Sequence, residues 1–451
     1  MSRVQLQLKK SVDSSYDIVI ERGILKKLAS DLRTKRFAEN YVVITDTKVS
    51  RLFGKSVCDS LKREGLLLGK IVVSVGEKSK SLSRVQECCE QLLSLGANRQ
   101  TGVIALGGGV VGDLAGFVAA SYMRGVPCVQ VPTTLLAMVD SSVGGKVGVD
   151  LPSGKNMVGA FWQPKKVYID PEVLRSLPAK DWKSGLGESV KYGAIMDRSL
   201  WEFFEKHADF LKEVPKKPMP SQWKLIEEMV ERCVKIKAEV VMKDEKEGNL
   251  RQVLNYGHTF GHVVELMSDY TILHGEAVAV GMKMAAALAH ELRFLSKAEL
   301  DRQNDLLKKL GLGKTKTKGL IKDFVEHMRK DKKTKGDLRV VLVDRLGRCH
   351  QELGRFGIKV DSAVVRKVLK ESALIDDIDQ AAQPAVQTNS WASSYSSSYS
   401  SSSSYSAPST PAGETDLQKR LREMRERAEL RRRMQGGSGS GGLGSGGYLP
   451  G

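Results

Sequence analysis

The stretch Val103-Ile-Ala-Leu-Gly-Gly-Gly-Val-Val-Gly-Asp113 is an apolar run that enters glycine without a break. A short apolar run bounded by turn residues reads as a buried strand. Gly107, Gly109 and Gly112 then form a G-x-G-x-x-G pattern at a strand-to-helix turn. Such a turn can seat a pyrophosphate on the N–H groups and the positive dipole end of the helix. A tight turn that only packs a helix on a sheet uses the same glycines, so the surroundings matter. Upstream, Tyr41–Thr45 is a strand ending at Asp46 and Lys70–Val75 is another. Helical patterns fill 24–35, 48–64 and the stretch from Lys80 to about 95. Residues 3–21 read as a pair of strands. Downstream, Val126–Thr134 ends in two hydroxyls and Lys166–Asp170 closes the series. Strands that alternate with helices build an open parallel sheet.

Two features depart from the dinucleotide fingerprint. The turn comes about a hundred residues into the chain, and no acid follows it by about 20 residues at a strand end. A nucleotide would therefore bind in a variant geometry, with an earlier acid such as Asp46 on its ribose. Between the last two strands lie Asp140, Gly144-Gly-Lys146 and Gly154-Lys-Asn156. Glycines beside Lys and Asn bring backbone and side-chain donors together, which suits a phosphate. The boundary of this first domain is placed at Pro178.

From residue 179 onward the pattern is helical, with helices expected near 199–212, 221–243, 251–267, 275–294, 298–310, 318–330 and 361–371, and a strand at 339–343. Gly185-Leu-Gly-Glu-Ser-Val-Lys191 puts Glu188 and Lys191 on one helix face. Three of the seven histidines, His258, His262 and His274, fall within Arg251–His274. His258 and His262 are four apart and share a helix face, with Asn255 one turn earlier. By spacing alone these two would be zinc ligands, as in HExxH helices. Gly257 and Gly261 signal the close approach of something beside that helix.

Bulk properties narrow the function classes. The 451 residues suggest two or three domains. No apolar run approaches the ~20 residues that span a bilayer. The six cysteines show no CxxC pairing and read as reduced thiols of a cytosol-like compartment. A plastid location would need a transit segment that these residues lack. The net charge of +18 comes from scattered lysines and arginines without interleaved aromatics. It fits an enzyme with an anionic small-molecule substrate better than a nucleic-acid or membrane partner. After Ile378 the composition changes. Residues 388–410 are mostly Ser with interspersed Tyr and cannot bury a core. Residues 416–434 read as a charged helix, and 436–451 as a flexible Gly/Ser linker.

The chain resembles the 3-dehydroquinate synthase family of the sugar phosphate cyclases over about 1–375. The resemblance rests on Gly107–Asp113, Ser121-Tyr-Met-Arg-Gly125, Pro132-Thr-Thr-Leu-Leu136, Val139-Asp-Ser-Ser-Val-Gly-Gly-Lys146, Gly154-Lys-Asn-Met-Val-Gly-Ala-Phe161, Gly187-Glu-Ser-Val-Lys191, Leu254-Asn-Tyr-Gly-His-Thr259 and Leu273-His-Gly-Glu-Ala-Val278. It implies a Rossmann-like NAD-binding domain (1–178), a mainly α-helical metal- and substrate-binding domain (179–378) and a tail (379–451) outside the family pattern. The implied reaction turns 3-deoxy-D-arabino-heptulosonate 7-phosphate into 3-dehydroquinate and phosphate. Hydride is lent to NAD and returned, phosphate is eliminated, and an intramolecular aldol step closes the ring.

By the same resemblance the metal ligands are Glu188, His258 and His274, with zinc or cobalt as the ion, while His262 is catalytic and off the metal. Arg124 of a partner subunit, Lys146, Asn156 and Lys332 or Lys333 would surround the phosphate, which implies a homodimer. Lys237 and Arg251 would hold the carboxylate and ring hydroxyls. Asp140, Lys191, Glu247 and Asn255 fill the remaining catalytic positions. Asp46, Glu77, Lys80, Gly108, Gly109, Asp113, Thr133, Thr134, Asp140 and Lys155 would contact NAD. Met138, Val147 and Asp181 depart from the usual Gln, Thr and Glu. Another sugar phosphate cyclase and a glycerol-dehydrogenase-like oxidoreductase are the rival readings.

Overall fold

The computed structural model describes residues 13–214, 216–314, 317–319, 321–330, 338–372 and 375–377. Lys332, Lys333, the tail from 379 and the first part of the 3–21 strand pair lie outside them.

Six strands form one parallel sheet: β1 (Asp17–Ile20), β2 (Asn40–Asp46), β3 (Leu67–Val73), β4 (Thr101–Gly107), β5 (Cys128–Pro132) and β8 (Lys166–Ile169). Their order across the sheet is β1-β8-β5-β4-β2-β3. β4 is buried along its whole length, as its unbroken apolar run requires of a strand covered on both faces. The chain moves from β2 outward to β3, then returns to the other side of β2 as β4. This reversal opens a crevice between the carboxyl ends of β2 and β4, the place where open α/β sheets take ligands. Asp46 ends β2 and the Gly107–Gly108 turn ends β4.

The glycine-rich stretch that carries Lys146 and Asn156 folds as an antiparallel hairpin, β6 (Lys146–Leu151) paired with β7 (Gly154–Phe161). Gly148 faces Gly159 across it, and a Cβ at Gly159 would lie 3.0 Å from the Gly148 Cα. These glycines serve strand approach, which from sequence looks the same as a loop built for a ligand.

The helical part begins at Ala179–Ile195 and continues with Arg198–Leu211, Pro220–Lys243, His258–Met267, His274–Glu291, Lys297–Lys309, Ile321–Lys330 and Ser362–Glu371. Asp197, Ser296 and Asp361 cap three of these helices through their side chains, each meeting an otherwise orphaned N–H. One apolar cluster runs from Val167 and Ile169 of β8 through Trp182, Trp201 and Trp223 to Leu369. The sheet and the helices therefore share a core, and residue 178 marks a change of architecture within it.

The helix expected over 251–267 is broken. Leu250–Asn255 is a 3-10 segment, Tyr256 is extended, and Gly257 has a left-handed φ of 78°. The α-helix starts only at His258. Asn255 is thus not one turn below His258 on a shared stripe. The reason is packing. A Cβ at Gly257 would lie 2.8 Å from the Val278 carbonyl oxygen, and one at Gly281 would lie 2.8 Å from the Gly261 nitrogen. What approaches Gly257 and Gly261 is the backbone of the His274–Glu291 helix.

Candidate active site

Three helices bring the candidate metal-ligating atoms together. Glu188 is fully buried on Ala179–Ile195, His258 opens its helix, and His274 opens the next. Glu188 Oε1 lies 3.5 Å from His258 Nε2 and 3.4 Å from His274 Nε2. Tetrahedral zinc with bonds of about 2.0–2.1 Å separates its ligand atoms by about 3.3 Å. Glu188 Oε1 accepts no hydrogen bond among the described residues, although it is buried. Its other oxygen accepts from Lys191 Nζ at 2.5 Å. The remaining ring nitrogens are also engaged: His258 Nδ1 is 3.2 Å from the Tyr256 carbonyl, and His274 Nδ1 is 3.2 Å from Glu265 Oε2. Both Nε2 atoms are thereby turned toward Glu188. An orphaned buried carboxylate oxygen flanked by two oriented imidazoles fits a divalent cation.

Electrostatics agree with that fit. Burial alone would raise the Glu188 pKa, but Lys191 and then His258 hold it well below the usual carboxylate range. Burial and the Lys191 ammonium push His258 down to about 3, which keeps it neutral as a ligand must be. Burial disfavours charge on His274, yet Glu188 and Glu265 raise its pKa. A carboxylate pair that draws a proton to this ring would equally draw a metal cation. His262 is exposed at the mouth, its ring 5.6 Å from that of His258 and 6.1 Å from that of His274. A second group of potential ligand atoms, His262, Glu265 and His274, shares one histidine with the first.

Next to Glu188 and Lys191 lies a second buried charge cluster. Asp140 Oδ1 accepts from Lys237 Nζ at 2.7 Å and from the Tyr192 hydroxyl at 2.6 Å. Burial opposes its ionisation, but Lys237 and Lys191 drive its pKa far down. Arg251, 2% exposed, donates from Nη1 to the Glu245 carbonyl at 2.5 Å and from Nη2 to that of Gly144 at 3.1 Å. A Cβ at Gly144 would lie 2.6 Å from Nη2, so only glycine leaves room for the guanidinium there. Glu247, in a left-handed conformation (φ 62°), accepts from Lys146 Nζ and, at 2.7 Å, from Asn255 Nδ2. A non-glycine residue held at positive φ is a mark of functional sites.

The cofactor candidates gather at the crevice. Lys80 is buried, 2.9 Å from Asp113 Oδ2, 3.6 Å from Glu77 and 2.5 Å from Asn156 Oδ1. Burial lowers its pKa, but Asp113 and Glu77 prevail and push it up to about 12. Asn156, expected at the phosphate, accepts from Lys80 through its Oδ1. Asp46 Oδ1 caps the N–H groups of Lys48 and Val49. Thr134 Oγ1 accepts from Ala137 N–H. Among the described residues the buried Thr133 hydroxyl has no partner, and a Cβ at Gly108 would lie 2.9 Å from Thr134 Cγ2, so the turn has no room for a side chain. These features fit a dinucleotide approaching backbone and hydroxyl closely. Lys155 reaches Glu265, at 3.1 Å.

Arg124 is exposed beyond the C-terminal end of the Gly109–Ser121 helix, with φ 71°. Among the described residues no ion pair joins it to the cluster. Met138 is buried in the core, and Val147 packs over Gly116. Two participants escaped the sequence reading. Tyr192 follows Lys191 and had no distinguishing signal. Glu265 had one: it is seven residues after His258 and three after His262, on the same helical stripe.

Comparison with known proteins follows the same outline. The family described as 3-dehydroquinate synthase matches with its N-terminal part at residues 70–184 and its C-terminal part at 185–334. A 3-dehydroquinate synthase from Desulforamulus reducens is 44% identical over 350 residues, 77% of this chain and 95% of that protein. One from Nostoc sp. is 42% identical over 338 residues, 74% and 91% of the two chains. Among solved structures, 2-deoxy-scyllo-inosose synthase complexed with carbaglucose-6-phosphate, NAD+ and Co2+ is 28% identical with a TM-score of 0.71, covering 78% of this chain and 96% of that one. The 2-epi-5-epi-valiolone synthase from Streptomyces hygroscopicus with NAD+ and Zn2+ bound is 26% identical with a TM-score of 0.69, covering 82% and 99%.

Proposed function

The chain belongs to the 3-dehydroquinate synthase family, and from that premise we propose that the residues described above carry the family's reaction. The chain is an enzyme of the shikimate pathway that converts 3-deoxy-D-arabino-heptulosonate 7-phosphate to 3-dehydroquinate and phosphate. The observation that carries the site assignment is the orphaned Glu188 Oε1 between two histidine Nε2 atoms. Glu188, His258 and His274 hold a divalent cation, zinc by the donor set, with cobalt as a substitute. Bound there, the cation supplies Lewis-acid polarisation of a substrate oxygen, and NAD in the crevice supplies reversible hydride acceptance.

The protein's own groups bind and move protons around that centre. Arg251 offers two nitrogens to a carboxylate, and its carbonyl partners hold the fork in place before substrate arrives. Lys237 stands beside it as a second cation, fixed by Asp140. Lys146 is half exposed and turned to Glu247, so a phosphate dianion competes for the same ammonium. Asn255 keeps Glu247 in place during that exchange. His262, exposed at the mouth, is placed to pass a proton between substrate and water. Glu77, Lys80, Asp113, Thr133 and Thr134 line the dinucleotide side with Gly108, Gly109 and Asp46, and Asn156 joins them.

Purified protein given 3-deoxy-D-arabino-heptulosonate 7-phosphate and a trace of NAD+ is expected to release phosphate and form 3-dehydroquinate in equal amounts, without accumulating NADH. Phosphate release from a hexose 6-phosphate instead would move the chain to another cyclase. Net NADH production would make it a dehydrogenase.

Arg124 completes the phosphate site of a second copy. Met123 beside it is an exposed apolar side chain, which supports a self-contact there. Mixing inactive Arg124→Ala with inactive Lys146→Ala protein is expected to restore about a quarter of wild-type activity, because half of the dimers are hybrids with one intact site. No recovery after demonstrated subunit exchange would exclude the shared site.

A further inference from the structure

We infer that Glu265 is a positioning residue that ties the metal site to the β6–β7 arm, fixing His274 with one oxygen and Lys155 of β7 with the other. The inference rests on the metal reading above and extends it to a residue with no role in that reading.

Glu265 is 3% exposed. A carboxylate taken out of water is costly unless both its oxygens find charged or hydrogen-bonding partners. Here Oε2 faces His274 Nδ1 at 3.2 Å and Oε1 faces Lys155 Nζ at 3.1 Å. The first contact sets the ring. A proton held on Nδ1 by a carboxylate leaves the Nε2 lone pair free, and Nε2 is the atom that faces Glu188.

The second contact has a seat built for it. Asp269 and Tyr270 both adopt left-handed conformations, φ 49° and 57°. Two successive non-glycine residues there are unfavourable unless their surroundings demand it. The turn they make returns the Tyr270 N–H to the Glu265 carbonyl at 2.8 Å. It also sets the Tyr270 ring against the Lys155 ammonium, 4.3 Å from its centroid. Lys155 thus meets a carboxylate and an aromatic ring supplied by one short segment.

On the arm itself, Asn156 is also left-handed, φ 54°, with its N–H on Asp150 Oδ1 at 2.7 Å. Adjacent side chains thereby diverge. Lys155 goes to Glu265 and the metal helices, while Asn156 goes to Lys80 and the nucleotide crevice. Glu265 is where this arm joins the metal site.

The test is zinc affinity, measured by competition with a chromophoric chelator, together with the visible spectrum of the cobalt-substituted protein. Wild type should take one equivalent, and His274→Ala should lose it. Glu265→Ala should still take one equivalent but bind it about 10–100-fold more weakly, with an altered cobalt spectrum. Glu265→Gln, which keeps an oxygen for Nδ1–H, should recover part of that loss. Lys155→Ala, which leaves the buried carboxylate in place, should weaken zinc by a smaller factor. Thermal unfolding of the metal-free Gln variant, unchanged from wild type, would show that the fold is intact.

Zinc affinity and cobalt spectrum of Glu265→Ala both matching wild type would overturn the proposal. So would a wild type that takes two equivalents and a Glu265→Ala that takes one, since Glu265 would then be a ligand of a second cation with His262. If wild type took no metal, or His274→Ala kept it, the metal reading itself would fall, and this inference with it.

Discussion

His274→Ala is expected to yield protein without metal and with activity reduced by roughly a thousandfold or more, since polarisation of a substrate oxygen by a metal amounts to several kcal/mol of barrier. His262→Ala is expected to retain the full metal content and to lose about 10²–10⁴ in rate, the usual contribution of a positioned acid–base group. The contrast follows from where the nitrogens point. His274 Nε2 lies 3.4 Å from the orphaned Glu188 oxygen, and the ligand atoms grouped with Glu188 are those of His258 and His274, while His262 groups with Glu265 and His274. Elemental analysis beside steady-state rates decides it. Equal metal loss in both variants would restore the pairing of His258 with His262 that their spacing alone suggests.

Gly275→Ala is expected to be the most damaging single substitution to the scaffold. A Cβ there would collide with the Ser184 carbonyl, lying 2.6 Å from its carbon, and one at Gly187 would lie 2.7 Å from the Gly275 carbonyl carbon. Both obstacles are backbone, so no rotamer change relieves them. Overpacking of this kind costs about 1–3 kcal/mol and sometimes more. The consequence for function is specific. Ser184 is one helical turn before Glu188, and Gly275 follows His274, so forcing the helices apart also parts two of the proposed metal ligands. The expected result is a lowered unfolding midpoint in denaturant together with weaker zinc binding. Gly248→Ala is the control. Its Cβ would meet only Asp244 Oδ1, at 3.6 Å, and a glycine substituted at a compatible site changes stability by under about 1 kcal/mol. If Gly275→Ala matched that control in both stability and metal affinity, the close helix contact would not be what holds the site.

The helical ligand pattern shows where reading by period fails. A continuous helix over 251–267 aligns Asn255, His258 and His262 on one stripe, and that alignment favours the pair four apart. The chain turns at Tyr256 and Gly257 because the His274–Glu291 helix needs the space. Asn255 then leaves the stripe to hold Glu247. Gly257 and Gly261 were rightly read as clearing space for a neighbour. Nothing local to them says that the neighbour is a helix sixteen or more residues later in the chain. Likewise, Gly148 and Gly159 signal a close approach in sequence, and only their register across β6–β7 shows that they approach each other.

What the amino-acid sequence determined by itself was everything governed by short-range geometry. The apolar run of β4 entering Gly107 specifies a buried parallel strand and a helix-capping turn. The spacing of Glu188 and Lys191 specifies an i,i+3 pair on one helix face. The long motifs from Gly107 to Val278 specify the family and its reaction. The tertiary structure alone decided which charges meet. Asp140 is joined to Tyr192 and Lys237, Lys146 to Glu247, and Asn156 to Lys80, across separations of 52, 97, 101 and 76 residues. Residues so far apart have no shared period to betray them. The elements that carry Glu188, His258 and His274 meet because glycines let three helices pack backbone to backbone, and the charge pairs above form because buried charges must end beside partners of opposite sign. The same two conditions set Glu265 between His274 and Lys155.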